Sequence, residues 1–166
     1  MSVSVDELLE RIRAEREDGL VVLTGGEPFR QNISQLAVAL YHMGYSVQVE
    51  TNGTLYLKDF PYFAVSIVCS PKTAKIHPQL ISYVSAYKYI LEAGKIKKDG
   101  LPSSALGMPF VPARPPRDYP REKIFVQPLD EQDEERNKLH RQTAVESCLT
   151  FGYRLSIQTH KILGLE

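Results

Sequence analysis

Tryptophan is absent from the 166 residues, and only two cysteines occur, Cys69 and Cys148. They lie far apart with no Cys-x2-Cys pair. That excludes, for this chain alone, a disulfide framework, a zinc ribbon and an iron–sulfur cluster held by three local cysteines. Cys69 in AVSIVCS and Cys148 on an amphipathic segment read as small buried hydrophobes. Net charge is absent too, since twenty basic and twenty acidic residues cancel; this argues against direct binding of nucleic acid or anionic lipid through a broad basic face. No apolar run approaches the ~20 residues of a membrane-spanning helix. The acidic, amphipathic start MSVSVDELLERIRAERE is unlike a secretory or transit peptide. Also lacking are G-x-G-x-x-G, H-E-x-x-H and G-x-S-x-G, and Gly94-Lys95 is followed by Ile96 rather than the Ser or Thr of a phosphate-binding loop. These absences leave one domain, residues 1–166, with a cytoplasmic expectation and no membrane partner.

What is present alternates in period. Ser4 with Glu7 is a capping-box pair, and Val5, Leu8, Leu9 and Ile12 then fall on one helical face, with Gly19 as the stop. LVVLT (20–24) is a β-branched run ended by Gly25-Gly26-Glu27-Pro28. A second helix is expected from about Asn32, with Gln35 as its box partner, an inner face of Ile33, Leu36, Leu40 and Met43, and Gly44 as its cap. Strands are expected at 45–50, 62–69, 86–91, 123–127 and 153–158, and a short helix at 77–84. A longer helix over 133–150 is expected to turn Leu139, Ala144 or Val145, Cys148 and Leu149 inward, with Gly152 as its cap. Between residues 92 and 122 the pattern fails: six of the eleven prolines lie from Pro102 to Pro120, and lysines stand at 95, 97 and 98. Irregular segments of that length are commonly lids or insertions. Buried strands alternating with helices indicate an α/β fold with a parallel sheet, whose ligands bind beyond the carboxyl ends of the strands.

Polar residues gather at those ends. Strand one ends in Thr24-Gly25-Gly26-Glu27-Pro28, strand two in Glu50-Thr51-Asn52-Gly53, strand three in Ser70-Pro71-Lys72 and strand five in Gln127-Pro128-Leu129-Asp130. The two glycines let the backbone turn sharply and approach a ligand, and Glu27 is suited to anchoring an amine; an ordinary strand-ending turn is the alternative. Asn52-Gly53 reads as a turn dipeptide. Glu50 ends an apolar strand, where a carboxylate needs a partner. Lys72 suits a carboxylate or plain solvent, and Gln127 a ligand or the backbone. Residues 130–135 suit an acidic helix start. His160 follows the last strand in Gln158-Thr159-His160-Lys161, while His42, His77 and His140 share no ligand-like spacing and receive no role. The residues by themselves describe a rim able to hold a small zwitterion, without specifying chemistry.

Taken in order, TGGEP, ETNGT, CSPK, VQPLDEQD and LSIQTHKILGL resemble the 7-carboxy-7-deazaguanine synthase family of radical S-adenosylmethionine (SAM) enzymes, from about Val21 to Leu165. GGEP and ETNGT recur across related radical SAM proteins, whereas SPK, QPLDEQ and QTHK together are more specific. The resemblance implies an incomplete (β/α) TIM-like barrel, here missing its first βα unit, and a homodimer. It implies ring contraction of 6-carboxy-5,6,7,8-tetrahydropterin to 7-carboxy-7-deazaguanine in queuosine or 7-deazaguanine biosynthesis, with SAM, a 4Fe-4S cluster and magnesium. By matching motif, Gly26, Glu27, Glu50, Ser70, Pro71, Lys72, Gln127, Pro128, Leu129 and Asp130 would bind SAM. Thr24, Gln158 and His160 would contact the carboxy-tetrahydropterin.

The ligands of the cluster and of magnesium lie upstream in that family and are absent here, so no residue is assigned as catalytic or as a metal ligand. The chain alone is expected to be inactive. Three readings stand open: the C-terminal portion of a longer enzyme, a cluster-free paralogue that binds SAM, a nucleoside-like ligand or a protein, or one half of a split enzyme completed by a cysteine-bearing chain. The intact SAM-side motifs favour the first and third. The family often ends in proline, with a terminal carboxylate near the site; Leu165-Glu166 departs from that.

Overall fold

A computed structural model describes residues 3–105 and 107–164, excepting the side chains of His160 and Ile162. Six strands follow one another in a single sheet in the order β1 to β6: Leu20–Leu23, Ser46–Thr51, Val65–Cys69, Val84–Leu91, Ile124–Pro128 and Arg154–Leu155. The pairs β1–β2, β2–β3, β4–β5 and β5–β6 all run parallel, as their unbroken apolar character suggested. The chain forms two compact units, one reaching to Cys69 and including Ile76–Ser85, the other comprising Ser70–Lys75 and everything from Ala86 onward.

In the first unit, α1 (Val5–Glu15) opens as its sequence dictates, with the Ser4 hydroxyl accepting from the Glu7 amide at 3.2 Å. Its apolar face, Val5, Leu8, Leu9 and Ile12, packs on Leu36, Leu40, Tyr45 and Val47. Tyr45 also donates its hydroxyl to the Arg16 carbonyl at 2.6 Å, fixing the chain as it leaves α1. The second helix, α2 (Ser34–His42), buries Leu36, Ala37 and Leu40. No side chain caps its N-terminus; Asn32 instead accepts from the Ser34 amide at 3.2 Å, and Gln35 stays exposed rather than closing a capping box. Gly44, at φ +88°, ends the helix in the left-handed region.

The apolar run at 62–69 is extended only from Val65. Tyr62–Ala64 form a single 3-10 turn after Pro61, leaving Phe63 exposed. Likewise the expected helix at 77–84 reduces to one 3-10 turn, Ile81–Tyr83, before β4 begins at Val84. Tyr62, Tyr83 and Tyr56 stack above these turns, with Tyr62 and Tyr83 centroids 4.2 Å apart. Aromatic stacking here replaces the aliphatic packing that would favour a longer helix.

In the second unit, α3 (Glu134–Phe151) starts at Asp133, whose carboxylate accepts from the Arg136 amide at 3.1 Å, and ends at left-handed Gly152. Ala144 is buried as expected and Cys148 is half-buried, but the other buried residues are Asn137, His140 and Ser147, while Leu139, Val145 and Leu149 are exposed. Hydrogen bonds, rather than leucine packing, select the inward face. Strand β6 spans two residues instead of six, and α4 (Thr159–Leu163) follows it. The described residues of 92–122 are irregular, apart from an Ile96–Pro102 bridge and the turn Arg121–Lys123, yet they are tied down. Asp99 takes two bonds from Arg114, at 2.7 and 3.2 Å, and Arg114 also donates to the Pro112 and Pro102 carbonyls. The Ser147 hydroxyl donates to the Gly100 carbonyl at 2.7 Å, and Tyr153 to the Asp99 carbonyl at 2.8 Å. Among the described residues no helix is long and apolar enough to cross a membrane.

Candidate functional site

In the first unit the polar ends of β1 and β2 meet through one carboxylate. Glu27 is buried and accepts from the Thr51 hydroxyl at 2.7 Å, the Asn52 amide at 2.8 Å and the Phe29 amide at 3.2 Å. Thr24, Gly25 and Gly26 are exposed, and the space beside both glycines is open. Gly25 sits at φ +140°, a conformation that L side chains rarely adopt. Glu50 is half-buried on β2 and accepts from the Gln48 amide group at 3.3 Å. Asn52 is the turn residue expected, its side chain accepting from the amide and the hydroxyl of Thr54.

In the second unit, Pro71 and Lys72 line a pocket of about 10 Å³ with Lys88, Tyr89, Ser104 and Pro112, room for a single water-sized group. Burial lowers the Lys72 ammonium from its ordinary pKa, and the like charge of Lys88 adds to that shift. The proline-rich segment forms part of this wall. It is held there by the Ala113 amide, which donates to the Thr73 carbonyl at 2.8 Å, and by Tyr89, which donates to the Ala113 carbonyl at 2.7 Å.

Beyond β5 lies a cavity of about 270 Å³, lined by Pro128, Leu129, Asp130, Arg141, Gln158 and Lys161. The Lys161 ammonium bonds the Asp130 carboxylate and holds it below the usual carboxylate range. The loop carrying Asp130 is set by α3. Asn137 accepts from the Glu131 amide at 2.8 Å and donates to Asp130 at 3.0 Å and to the Glu131 carbonyl at 2.8 Å. Next to it, buried His140 accepts the Ala93 amide at Nδ1 (2.9 Å), which leaves Nε2 to donate to Glu131 at 3.0 Å. With Glu134 and Asn137 also in its wall, the cavity presents two carboxylates, two cations and two carboxamides, and it suits a polar, zwitterionic or hydroxyl-bearing molecule.

The structure therefore brings Pro128, Leu129, Asp130 and Gln158 to one cavity and Pro71 and Lys72 to another, with Ser70 and Gln127 half-buried just before them in the chain. The side chain of His160 lies outside the described residues. Sequence reasoning missed Thr51, Asn137, His140, Arg141 and Lys161. Thr51 was legible only as part of a turn, and the α3 residues carried no signal because their periodicity is polar.

Neither cysteine is placed for metal binding. Burial, with the Glu27 charge adding, pushes the Cys69 thiol up to about 12, and burial raises Cys148 as well. Among the described residues no three His, Cys, Asp or Glu side chains gather as metal ligands. The two cysteines of this chain do not supply the three thiolates that hold a 4Fe-4S cluster.

No family model matches the chain. It is 44% identical to the 7-carboxy-7-deazaguanine synthase of Rhodospirillum rubrum, over 92% of this chain and 68% of that protein. It is 35% identical to the enzyme of the same name from Rickettsia prowazekii, over 99% of this chain and 70% of that one. The crystal structure of QueE from Escherichia coli superposes with a TM-score of 0.63 at 22% identity, covering 94% of this chain and 64% of that one, a likeness of fold. The chain thus spans about two thirds of the length of these relatives. On the strength of the two sequence matches, the chain belongs to the 7-carboxy-7-deazaguanine synthase family.

Proposed function

We propose that this chain is the SAM-binding part of a cytoplasmic enzyme that contracts the ring of 6-carboxy-5,6,7,8-tetrahydropterin to 7-carboxy-7-deazaguanine. The observation that carries the reading is a family match running through 92% of the chain, across a sheet whose strand ends bear the polar motifs. On this reading the 166 residues are one incomplete TIM-like barrel domain lacking a first βα unit, and the active form is a homodimer.

Ser70, Pro71, Lys72, Gln127, Pro128, Leu129 and Asp130 would hold SAM together with the 24–27 turn and Glu50. Thr24, Gln158 and His160 would face the pterin. Bound SAM supplies the deoxyadenosyl group that abstracts hydrogen in this family. This chain's own contribution is electrostatic and positional: Lys72 offers a partly buried positive charge to a carboxylate, while Asp130 offers a fixed negative one. The cluster cysteines and the magnesium ligands would come from protein outside these 166 residues, either along the same polypeptide or in a second subunit.

Isothermal titration of the purified protein with SAM tests the reading, alongside Asp130→Asn and Lys72→Met. Saturable binding weakened about tenfold or more by each substitution is the expected result. No binding at millimolar SAM refutes it. Iron and intact mass measured on protein isolated anaerobically from its native source then separate a cluster-bearing assembly from a cluster-free binding protein.

A further inference from the structure

Glu27 stands where an amine-binding carboxylate is expected, yet both its oxygens are already used inside the protein. One accepts from Thr51 and Phe29, the other from Asn52. Three donors hold this carboxylate at 7% exposure, with no cation among its described partners. The Thr51 hydroxyl is itself 2% exposed and has two partners, since it donates to Glu27 and accepts from the Gly53 amide at 3.1 Å. Gly53 sits at φ +82°, and a Cβ there would lie 2.7 Å from the Cys69 sulfur, so the turn that Thr51 joins accepts no side chain at this position. One continuous line of bonds thus runs from the β2 turn through Thr51 to the loop after β1, and the exposed Thr24-Gly25-Gly26 backbone immediately precedes its anchor.

We propose that Thr51 is a positioning residue for ligand binding: by holding the Glu27 carboxylate inward, it sets the backbone of residues 24–26 that meets the ligand's amine end. The assignment rests on the SAM reading above and revises the role of Glu27, whose carboxylate is an internal anchor for the turn. Valine in place of Thr51 keeps the shape and removes the hydroxyl. That leaves the Gly53 amide without its acceptor and strips a donor from a buried carboxylate. Serine keeps both bonds.

The test compares the unmodified protein with Thr51→Val and Thr51→Ser by amide hydrogen exchange and by SAM titration. The expected result is exchange at Asn52 and Phe29 at least about tenfold faster in Thr51→Val, SAM affinity weaker by a similar factor, and both restored to within about threefold in Thr51→Ser. Ser147→Ala in α3 is the control for lost stability alone, and it should leave SAM affinity unchanged. Unaltered exchange in Thr51→Val overturns the proposal. So does accelerated exchange with unchanged SAM affinity, which would make the clamp purely structural. If the unmodified protein binds no SAM, the ligand reading falls and takes the positioning role with it, while the exchange data still report whether the clamp exists.

Discussion

Gly100→Ala is expected to destabilise the second unit by about 3–6 kcal/mol. Gly100 lies at φ +75°, where an L residue costs roughly 1–2 kcal/mol. Its new Cβ would stand 2.3 and 2.5 Å from two ring carbons of Phe151 and 2.7 Å from the Ser147 hydroxyl. The half-buried Phe151 ring has some freedom to swing outward. Ser147 has none, being 3% exposed and committed to the Gly100 carbonyl. Overpacking of this kind adds about 1–3 kcal/mol, and the threatened hydrogen bond about 1 kcal/mol. Against a typical total of roughly 5–15 kcal/mol the loss is large. Urea denaturation followed by far-UV circular dichroism reads it directly: with a slope of about 2 kcal/mol/M, the midpoint falls by about 1.5–3 M. Repeating the substitution in a Phe151→Leu background removes the ring contact and should leave a smaller loss, made of the backbone cost and the Ser147 contact. A loss under about 1 kcal/mol, or the same loss in both backgrounds, would refute the packing argument.

Three further outcomes follow from the same structure. Cys69, with its thiol pushed to about 12, should resist a disulfide reagent at pH 8 until the protein is unfolded, because only on the order of one part in ten thousand is thiolate there; rapid native labelling would contradict its burial. The folded-state pKa of Asp130 is depressed by Lys161, so the stabilising contact is present above the ordinary carboxylate value and is lost as pH falls through the depressed one. Carbon-detected NMR titration should show that depression, Lys161→Met should remove most of it, and an unchanged titration would break the assignment. Asn137→Ala removes three hydrogen bonds from a buried position and should cost about 2–4 kcal/mol while loosening the Glu131 amide in hydrogen exchange.

Much of this architecture was legible because strands announce themselves as apolar runs and helices as spaced apolar faces. Ser4, Asp133, Gly44 and Gly152 do at the helix ends what their residue types suggest. What was illegible was polar burial. In α3 the leucine spacing pointed the wrong way, since nothing in the pattern distinguishes an Asn and a His that bond neighbouring loops from residues bound for solvent. The shortened β6 has a related cause: Ile157, apolar but exposed, extends the pattern beyond the last paired residue, Leu155. Glu27 stands out in the sequence as a site expectation, whereas its partner Thr51 reads as part of a turn because its hydroxyl works across 24 positions of sequence.

The inward face of α3 amounts to a key cut with only one matching lock. Leucines tolerate a helix sliding or rolling by a fraction of a turn, because apolar contact has no direction. Asn137, His140 and Ser147 do not, for each meets a specific backbone group: Glu131, Ala93 and Gly100. A slip of one residue would forfeit all three matches at once. The helix is therefore indexed to its neighbours rather than merely packed on them, and the Asp130 loop inherits that fixed address.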